Sequence, residues 1–200
     1  MKKLSICFLT ITLLTGIIAS TACAEMYYSG NMGIVYASDS DISDGSNSGE
    51  LALDDGFAIT GAVGHTLGYA GRVELEMGYR LNDVDKISLG TAGTGSDDGD
   101  ITTISLLGNA YYDFATVGRF TPFIGAGIGL ANVEAKFDRA GNEDDTVFAY
   151  QFAAGGSFAV SENLGVDLQY RYFGTEDPNF DGLEAEYNTH NLIIGLRLNF

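Results

Sequence analysis

Residues 189–200 read T-H-N-L-I-I-G-L-R-L-N-F, and this stretch decides the fold. Every second residue before Phe200 is a large aliphatic one, whereas the intervening positions include Asn199, Arg197 and Gly195. A period of two residues is typical of a β-strand whose two faces meet different surroundings. A tilted strand of about 9 to 11 residues can cross a bilayer. The stretch therefore predicts a membrane strand with one face in an apolar medium.

The first 24 residues have the organisation of a secretion signal. Lys2 and Lys3 precede an apolar run over residues 4–18, and Ala22-Cys23-Ala24 is a small-x-small cleavage site. We therefore expect residues 1–24 to be a signal peptide and residues 25–200 to form one outer-membrane barrel domain.

Cys23 leaves a lipoprotein open as an alternative, because a lipid-modified cysteine would follow a short Leu-x-small box. Ser20 stands where that box has Leu. Cleavage after Ala24 would instead remove both cysteines, Cys7 and Cys23, so that the mature chain could form no disulfide.

Seven further segments alternate like the last one. In the clearest, large apolar residues at positions 73, 75, 77 and 79 alternate with charged ones at 72, 74, 76 and 80, so the two faces differ sharply. The predicted segments are residues 27–37, 56–66, 71–81, 101–114, 121–131, 147–160 and 164–173, followed by 189–200.

The connections between these segments are alternately long and short, with four long ones and three short ones. No stretch after the signal approaches the roughly 18 consecutive apolar residues of a spanning helix. Only helices and closed barrels satisfy every backbone group in lipid, and membrane barrels combine long extracellular loops with short periplasmic turns. The pattern predicts an all-β, eight-stranded antiparallel transmembrane β-barrel, an up-and-down meander with aromatic girdles. A soluble barrel would need its apolar residues inside.

The four long connections carry about 21 of the 27 acidic residues and about three of the ten basic ones. They cover residues 38–55, 82–100, 132–146 and 174–188, and the pattern predicts an acidic, solvated face.

Several stretches resemble the small outer-membrane barrel superfamily of outer-membrane protein A-like, opacity-type and rickettsial-type surface antigens. The resemblance covers essentially the whole mature chain and implies an outer-membrane location, with both termini periplasmic and the long loops extracellular. It implies outer-membrane lipid and lipopolysaccharide as surroundings, and a host or envelope protein as ligand of the loops; neither nucleic acid nor a cofactor is expected. The stretches are Y-Y-S-G-N-M-G (27–33), R-V-E-L-E-M-G-Y-R (72–80), N-A-Y-Y-D-F (109–114), T-P-F-I-G-A-G-I-G (121–129), Y-R-Y-F (170–173) and I-G-L-R-L-N-F (194–200).

In this superfamily the last strand is also the signal read by the barrel-assembly machinery, commonly with a Gly and two aromatic residues. Gly195 and Phe200 match that pattern, whereas Leu198 stands where a second aromatic is usual. The resemblance thus implies an assembly signal formed by these three residues.

The predicted inner face carries four acids and four arginines. Buried charges need partners, and an eight-stranded barrel is only wide enough for its own side chains. We therefore expect a mutually paired interior that plugs the lumen; a pore lining is the alternative. The residues are Arg72, Glu74, Glu76, Arg80, Asp113, Asp167, Arg171 and Arg197.

Other chemistry has weaker signals. Asp39, Asp41, Ser43 and Glu50 occupy four positions of a helix–loop–helix calcium loop, but Asp44 stands where that loop requires Gly. The two histidines, His65 and His190, are expected near the strand ends, and His190 with Asp181 or Glu186 would be the acid–base part of a rim-site enzyme. The sequence favours a surface-exposed envelope protein or antigen and no enzyme, ahead of a low-conductance porin and a rim-site enzyme.

Overall fold

The computed structural model describes residues 26–37, 40–43, 48–53, 55–68, 70–89, 93–95, 99–137, 141–176, 179–180, 183–185 and 187–200. Side chains are described for residues 26–36, 55–68, 70–82, 100–134, 144–176 and 187–200. The predicted signal peptide, the side chains of the candidate calcium loop, Asp181 and Glu186 all lie outside these ranges.

Eight long strands form a closed ring, which confirms the predicted antiparallel meander. Each strand pairs with the next, and the last pairs back with the first, from Tyr27 opposite Asn199 to Ala37 opposite Thr189. The closed ring leaves no unpaired edge, as a bilayer requires. The strands are β1 (Met26–Ala37), β2 (Gly56–Leu67), β3 (Gly71–Leu89), β4 (Gly99–Asp113), β5 (Phe120–Phe137), β6 (Gly141–Ala159), β7 (Leu164–Thr175) and β8 (Asn188–Asn199).

The strands reach further into the long connections than the sequence indicates. Strands β3, β5 and β6 have 19, 18 and 19 residues, so the predicted ends at residues 81 and 131 and the predicted start at 147 are wrong. Short strands also lie within the predicted long connections: Ser40–Ser43 pairs with Ser48–Leu53, which pairs with β3. Gly93–Gly95 pairs with β3, and Leu183–Ala185 pairs with both Asn179–Phe180 and Ser40–Ser43.

The opposite end of the barrel has short turns. Gly68 and Gly118, after β2 and β4, have φ angles of 64° and 66°. This left-handed region disfavours side chains with a Cβ, so glycine permits both turns. After β6, the Leu164 amide donates to Ser161 Oγ at 3.1 Å and closes the third turn. The three predicted short connections are confirmed, but the predicted alternation is not: β5 and β6 pair as far as Phe137 opposite Gly141, so only residues 138–140 separate these strands.

The two faces of the strands have opposite chemistry. Large apolar side chains such as Met32, Met77 and Ile128 are more than 60% exposed on the outer wall, whereas charged Arg80 and Glu76 are 0% exposed inside. Among the described residues, no helix has the length and apolar character needed to cross a bilayer. The charged side chains therefore lie inside and the outer wall is apolar, the reverse of a soluble barrel.

Candidate functional site

The middle of the lumen is occupied by a hydrogen-bonded ion pair between β3 and β7. Arg171 Nη1 lies 2.8 Å from each carboxylate oxygen of Glu76. Glu76 also accepts from Gln151 Nε2 at 3.1 Å and from Thr60 Oγ1 at 3.3 Å. Gln151 Nε2 further donates to Asn109 Oδ1 at 2.7 Å. Because charge and hydrogen-bonding capacity are both satisfied, this carboxylate is stable in a position closed to solvent.

Arg72 occupies the lumen nearer the short turns. Its Nε atom lies 2.8 Å from Asp113 Oδ2, and its Nη1 atom lies 3.6 Å from Glu74 Oε1. The guanidinium also lies over the rings of Tyr111 and Phe123, at 4.7 and 5.1 Å from their centroids. Such cation–π contacts stabilise a charge that has left water.

The two remaining turn-side charges are Arg197 and Asp167, at 3.4 Å from each other. Arg197 Nη2 also donates to Ser157 Oγ at 2.6 Å, and its guanidinium lies 5.6 Å from the ring of Tyr27. The Tyr27 hydroxyl donates to Glu74 at 2.8 Å. The contacts therefore connect β1, β3, β6, β7 and β8 across the interior.

Arg80 departs from the predicted mutual pairing. Its Nη1 atom donates to Ser105 Oγ at 3.0 Å, and its guanidinium stacks on Phe173 at 3.8 Å. Within the described part of the chain, its Nε and Nη2 atoms have no hydrogen-bond partner. The other seven predicted interior charges all lie in ion pairs, whereas Arg80 contacts an aromatic ring and a hydroxyl group and interacts with Glu76 only at longer range.

Around Arg80 and toward the long connections, the interior becomes apolar. Phe173 and Tyr187 pack edge to face at 6.3 Å, and the Tyr187 hydroxyl donates to Asn82 Oδ1 at 2.9 Å. Burial raises the pKa of Tyr187 above its ordinary value. This apolar layer, formed by β4, β5, β6, β7 and the residue before β8, consists of Ile101, Leu107, Ala131, Val133, Val147, Ala149, Phe173 and Tyr187.

A small cavity lies among the charges of the turn half. One cavity of about 10 Å³ lies between the side chains of Arg72, Glu74, Asp167, Gln169 and Arg171. A cavity needs about 10 to 15 Å³ to hold one water molecule. Among the described residues there is no group of three or more His, Cys, Asp or Glu side chains that could hold a metal ion.

The three residues of the expected assembly signal occupy different surfaces. Gly195 faces inward, where a Cβ atom would overlap the Asn31 amide. Leu198 and Phe200 face outward with exposures of 47% and 69%. The Phe200 ring packs edge to face on Tyr28 at 5.4 Å, and its backbone amide donates to the Met26 carbonyl at 2.9 Å. The C-terminal residue thus contacts the start of β1.

Residues 9–200 match the outer membrane protein beta-barrel domain family. The chain belongs to this family. Its polar interior, apolar outer wall and closed ring are the features that such a barrel requires.

Curated relatives cover part of the chain. The proposed adhesin RC1281 of Rickettsia conorii is 36% identical over 118 residues, 48% of this chain and 47% of the relative. The outer membrane protein PagN of Salmonella typhimurium is 33% identical over 73 residues, 32% of this chain and 30% of the relative. The chain thus matches about half or less of the length of these relatives.

Solved structures share the fold. Neisserial surface protein A superposes with a TM-score of 0.59 at 19% identity, covering 89% of this chain and 99% of that one. The outer membrane protein OprG of Pseudomonas aeruginosa gives a TM-score of 0.51 at 14% identity, covering 89% and 96%. The protein is an outer-membrane β-barrel, and its outer wall faces lipid.

The lipid-facing wall carries an aromatic band at each end. Toward the long connections, Phe57 packs with Tyr79 at 6.2 Å and Tyr150 with Tyr172 at 6.2 Å. Toward the turns, Tyr112 packs with Phe114 at 5.1 Å. Both bands occupy the positions where membrane barrels meet the polar interfaces.

Both histidines lie on this outer wall. His65 is half-buried at the turn end of β2, opposite Met26 and Val73. His190 Nδ1 hydrogen-bonds with the Tyr170 hydroxyl, and its ring packs on Tyr172 at 5.3 Å. These contacts are aromatic and interfacial, and within the described side chains they bring neither a carboxylate nor a serine to His190.

Proposed function

We propose that this outer-membrane barrel is a surface-displayed envelope protein with a closed lumen, which presents its four acidic long loops outside the cell. In this proposal the barrel is a rigid support and the loops contact the partner. The turns and both termini face the periplasm.

The observation that supports the proposal is that two different groups of buried side chains lie inside the ring. The ion pairs of Arg72, Glu76 and Arg171 occupy the turn half and the middle, and the apolar layer, which begins at Leu107 opposite Glu76, extends into the loop half. A hydrated ion would have to disrupt the ion pairs, because the cavity between these charges is close in volume to one water molecule. This favours a display function over conduction.

The acidic charge of the loops indicates the kind of partner. About 21 of the 27 acidic residues belong to them, and a surface with one sign of charge attracts a partner of the opposite sign from a distance. We therefore propose a cationic patch on a host or envelope protein as the ligand. The relatives described as an adhesin and as an outer membrane protein support contact at the cell surface.

Planar-bilayer recordings test closure of the lumen. The wild-type barrel is expected to show no steady channels, whereas a variant that opens both layers, Glu76→Ala with Phe173→Ala, should conduct. A steady wild-type conductance would instead support the low-conductance porin.

Surface labelling tests display and orientation. An epitope inserted after Asp44, between the strands Ser40–Ser43 and Ser48–Leu53, should be reached by antibody on intact cells. The same epitope inserted after Glu162, in the turn between β6 and β7, should be reached only after the outer membrane is opened. The reverse result would contradict the proposed orientation.

Polycation binding tests the loops without a known ligand. Cells displaying the barrel should bind poly-lysine more than cells lacking it, and the difference should shrink at high salt because screening weakens exposed charges. No difference at low salt would contradict a cationic partner.

A further inference from the structure

The lipid-facing wall is not uniform, because a trench crosses it at the seam where the barrel closes. Two grooves of about 500 and 520 Å³ lie over β7, β8, β1 and β2. They share Met32, Ile59 and Ile194, so they are continuous. The trench therefore follows β1 over much of its length between the two aromatic bands.

One outward-facing glycine, Gly30, lines the trench, and a second, Gly61, lies beside it. Gly30 lies directly opposite Gly61 in the pairing of β1 with β2. A Cβ atom at Gly30 would have no neighbour within 4 Å, and one at Gly61 would meet only the Ser29 carbonyl at 4.0 Å. The absence of side chains at these positions leaves open space on the outer wall. Close packing does not require glycine at either position.

A polar cluster lies at the loop end of the trench. Ile34 is opposite Leu192 in the trench, and the next outward pair along the same strands is Tyr36 opposite His190. His190 hydrogen-bonds with the Tyr170 hydroxyl and packs on Tyr172. Imidazole and phenol groups at this position can donate hydrogen bonds to a phosphate. The apolar trench fits an acyl chain, and the polar cluster at its end fits a phosphorylated headgroup.

We propose that the wall formed by β7, β8, β1 and β2 binds one phosphorylated lipid of the outer leaflet, with an acyl chain in the trench and a phosphate at His190. The leaflet assignment rests on the proposed orientation; the binding itself does not. Bulk lipid covers the entire wall of a membrane barrel, but a trench with a headgroup site at one end would retain one molecule selectively. A free phosphate has no acyl chain to fill the trench.

The test uses the full barrel in neutral detergent, with lipid A as the probe and native mass spectrometry to count retained molecules. Gly61→Leu fills the trench and should lower the apparent affinity by about tenfold, which corresponds to about 1.4 kcal/mol. Gly108→Leu is the matched control, because Gly108 is also exposed on the outer wall and its Cβ would meet only the Ile128 carbonyl at 3.9 Å. Gly30→Leu serves as a second trench variant if Gly61→Leu does not fold.

His190→Phe separates the headgroup from the chain. It keeps an aromatic ring in the band and should abolish the preference for lipid A over the same lipid without phosphates. Equal losses in Gly61→Leu and Gly108→Leu, or an unchanged preference in His190→Phe, would overturn the proposal. Full displacement of lipid A by inorganic phosphate would also overturn the proposal. Cross-linking of two barrels through the trench, without retained lipid, would do so too. None of these outcomes depends on whether the lumen conducts or which side the loops face.

Discussion

Arg171 Nη1 lies 2.8 Å from both carboxylate oxygens of Glu76, although 95 residues separate them in sequence. Arg171 is on β7 and Glu76 on β3, and these strands are opposite each other in a ring of eight. The side chains are 1% and 0% exposed. One ion pair therefore spans the lumen and holds the two sides of the barrel together.

Removal of either partner should destabilise the barrel strongly. Arg171→Ala leaves the Glu76 carboxylate buried with only neutral donors, and breaking one partner of a buried pair costs about 3 to 5 kcal/mol. Glu76→Ala should have a similar cost. We expect the double variant to lose less than the sum, because neither charge then remains unpaired. Urea unfolding in lipid vesicles measures these differences.

Val73→Ala is the control for the same strand, because Val73 faces lipid with 38% exposure. It should lower the free energy of unfolding far less than Glu76→Ala. If the single losses simply added in the double variant, the two residues would not act as a pair.

Phe173→Ala should also destabilise the folded barrel. Phe173 is fully buried, lies under the Arg80 guanidinium at 3.8 Å and packs on Tyr187. Its truncation leaves a cavity and removes the aromatic surface that stabilises a buried charge, and such substitutions cost about 3 to 5 kcal/mol. The unfolding midpoint in urea reports the loss.

Phe152→Ala is the matched control on the outer wall, where the ring is 57% exposed. Lipid can fill the space that the Phe152 ring leaves, so we expect a smaller loss in the free energy of unfolding. Equal losses for Phe173→Ala and Phe152→Ala would mean that the apolar layer does not stabilise Phe173 more than lipid stabilises Phe152.

The alternation of residue types was sufficient to predict the ring of strands, because each face has one kind of surrounding within the bilayer. The same rule failed where β5 leaves the membrane. Residues 132–137 read N-V-E-A-K-F and still alternate, but with Val133 inward and Asn132 and Glu134 outward. Water now lies outside the strand, so the apolar face turns to the interior. The apolar layer was therefore missed, and its signal was this reversal of parity.

The identity of interior partners was predictable only in part. Equal numbers of acids and arginines on one face indicate pairing, and seven of the eight charges lie in ion pairs among the described residues. The stacking of Arg80 on Phe173 depends on the tilt that brings β3 and β7 residues to one level. Sequence alone does not determine that stagger.

Processing of the first residues gives a prediction that the sequence alone supports. Cleavage after Ala24 should leave Glu25 as the first residue of the mature protein. N-terminal sequencing of protein purified from the membrane measures this directly, and Cys23→Ala should not change the result. A mature protein that begins at a lipid-modified Cys23 would contradict the prediction.

The C-terminal aromatic should be required for assembly. Phe200 packs on Tyr28 at 5.4 Å and its amide bonds to the Met26 carbonyl, so it fixes the end of β8 against the start of β1. Phe200 is 69% exposed, so it contributes little to the packing of the interior. Deletion of Phe200 should therefore mainly weaken recognition by the assembly machinery and pairing of β8 with β1. We expect less heat-modifiable, folded barrel in the membrane fraction.

Phe114→Ala, which removes a 44% exposed ring from the same aromatic band, should leave the folded yield nearly unchanged. A folded yield that is unaffected by loss of Phe200, or equally reduced by Phe114→Ala, would show that the last residue is an ordinary member of the band.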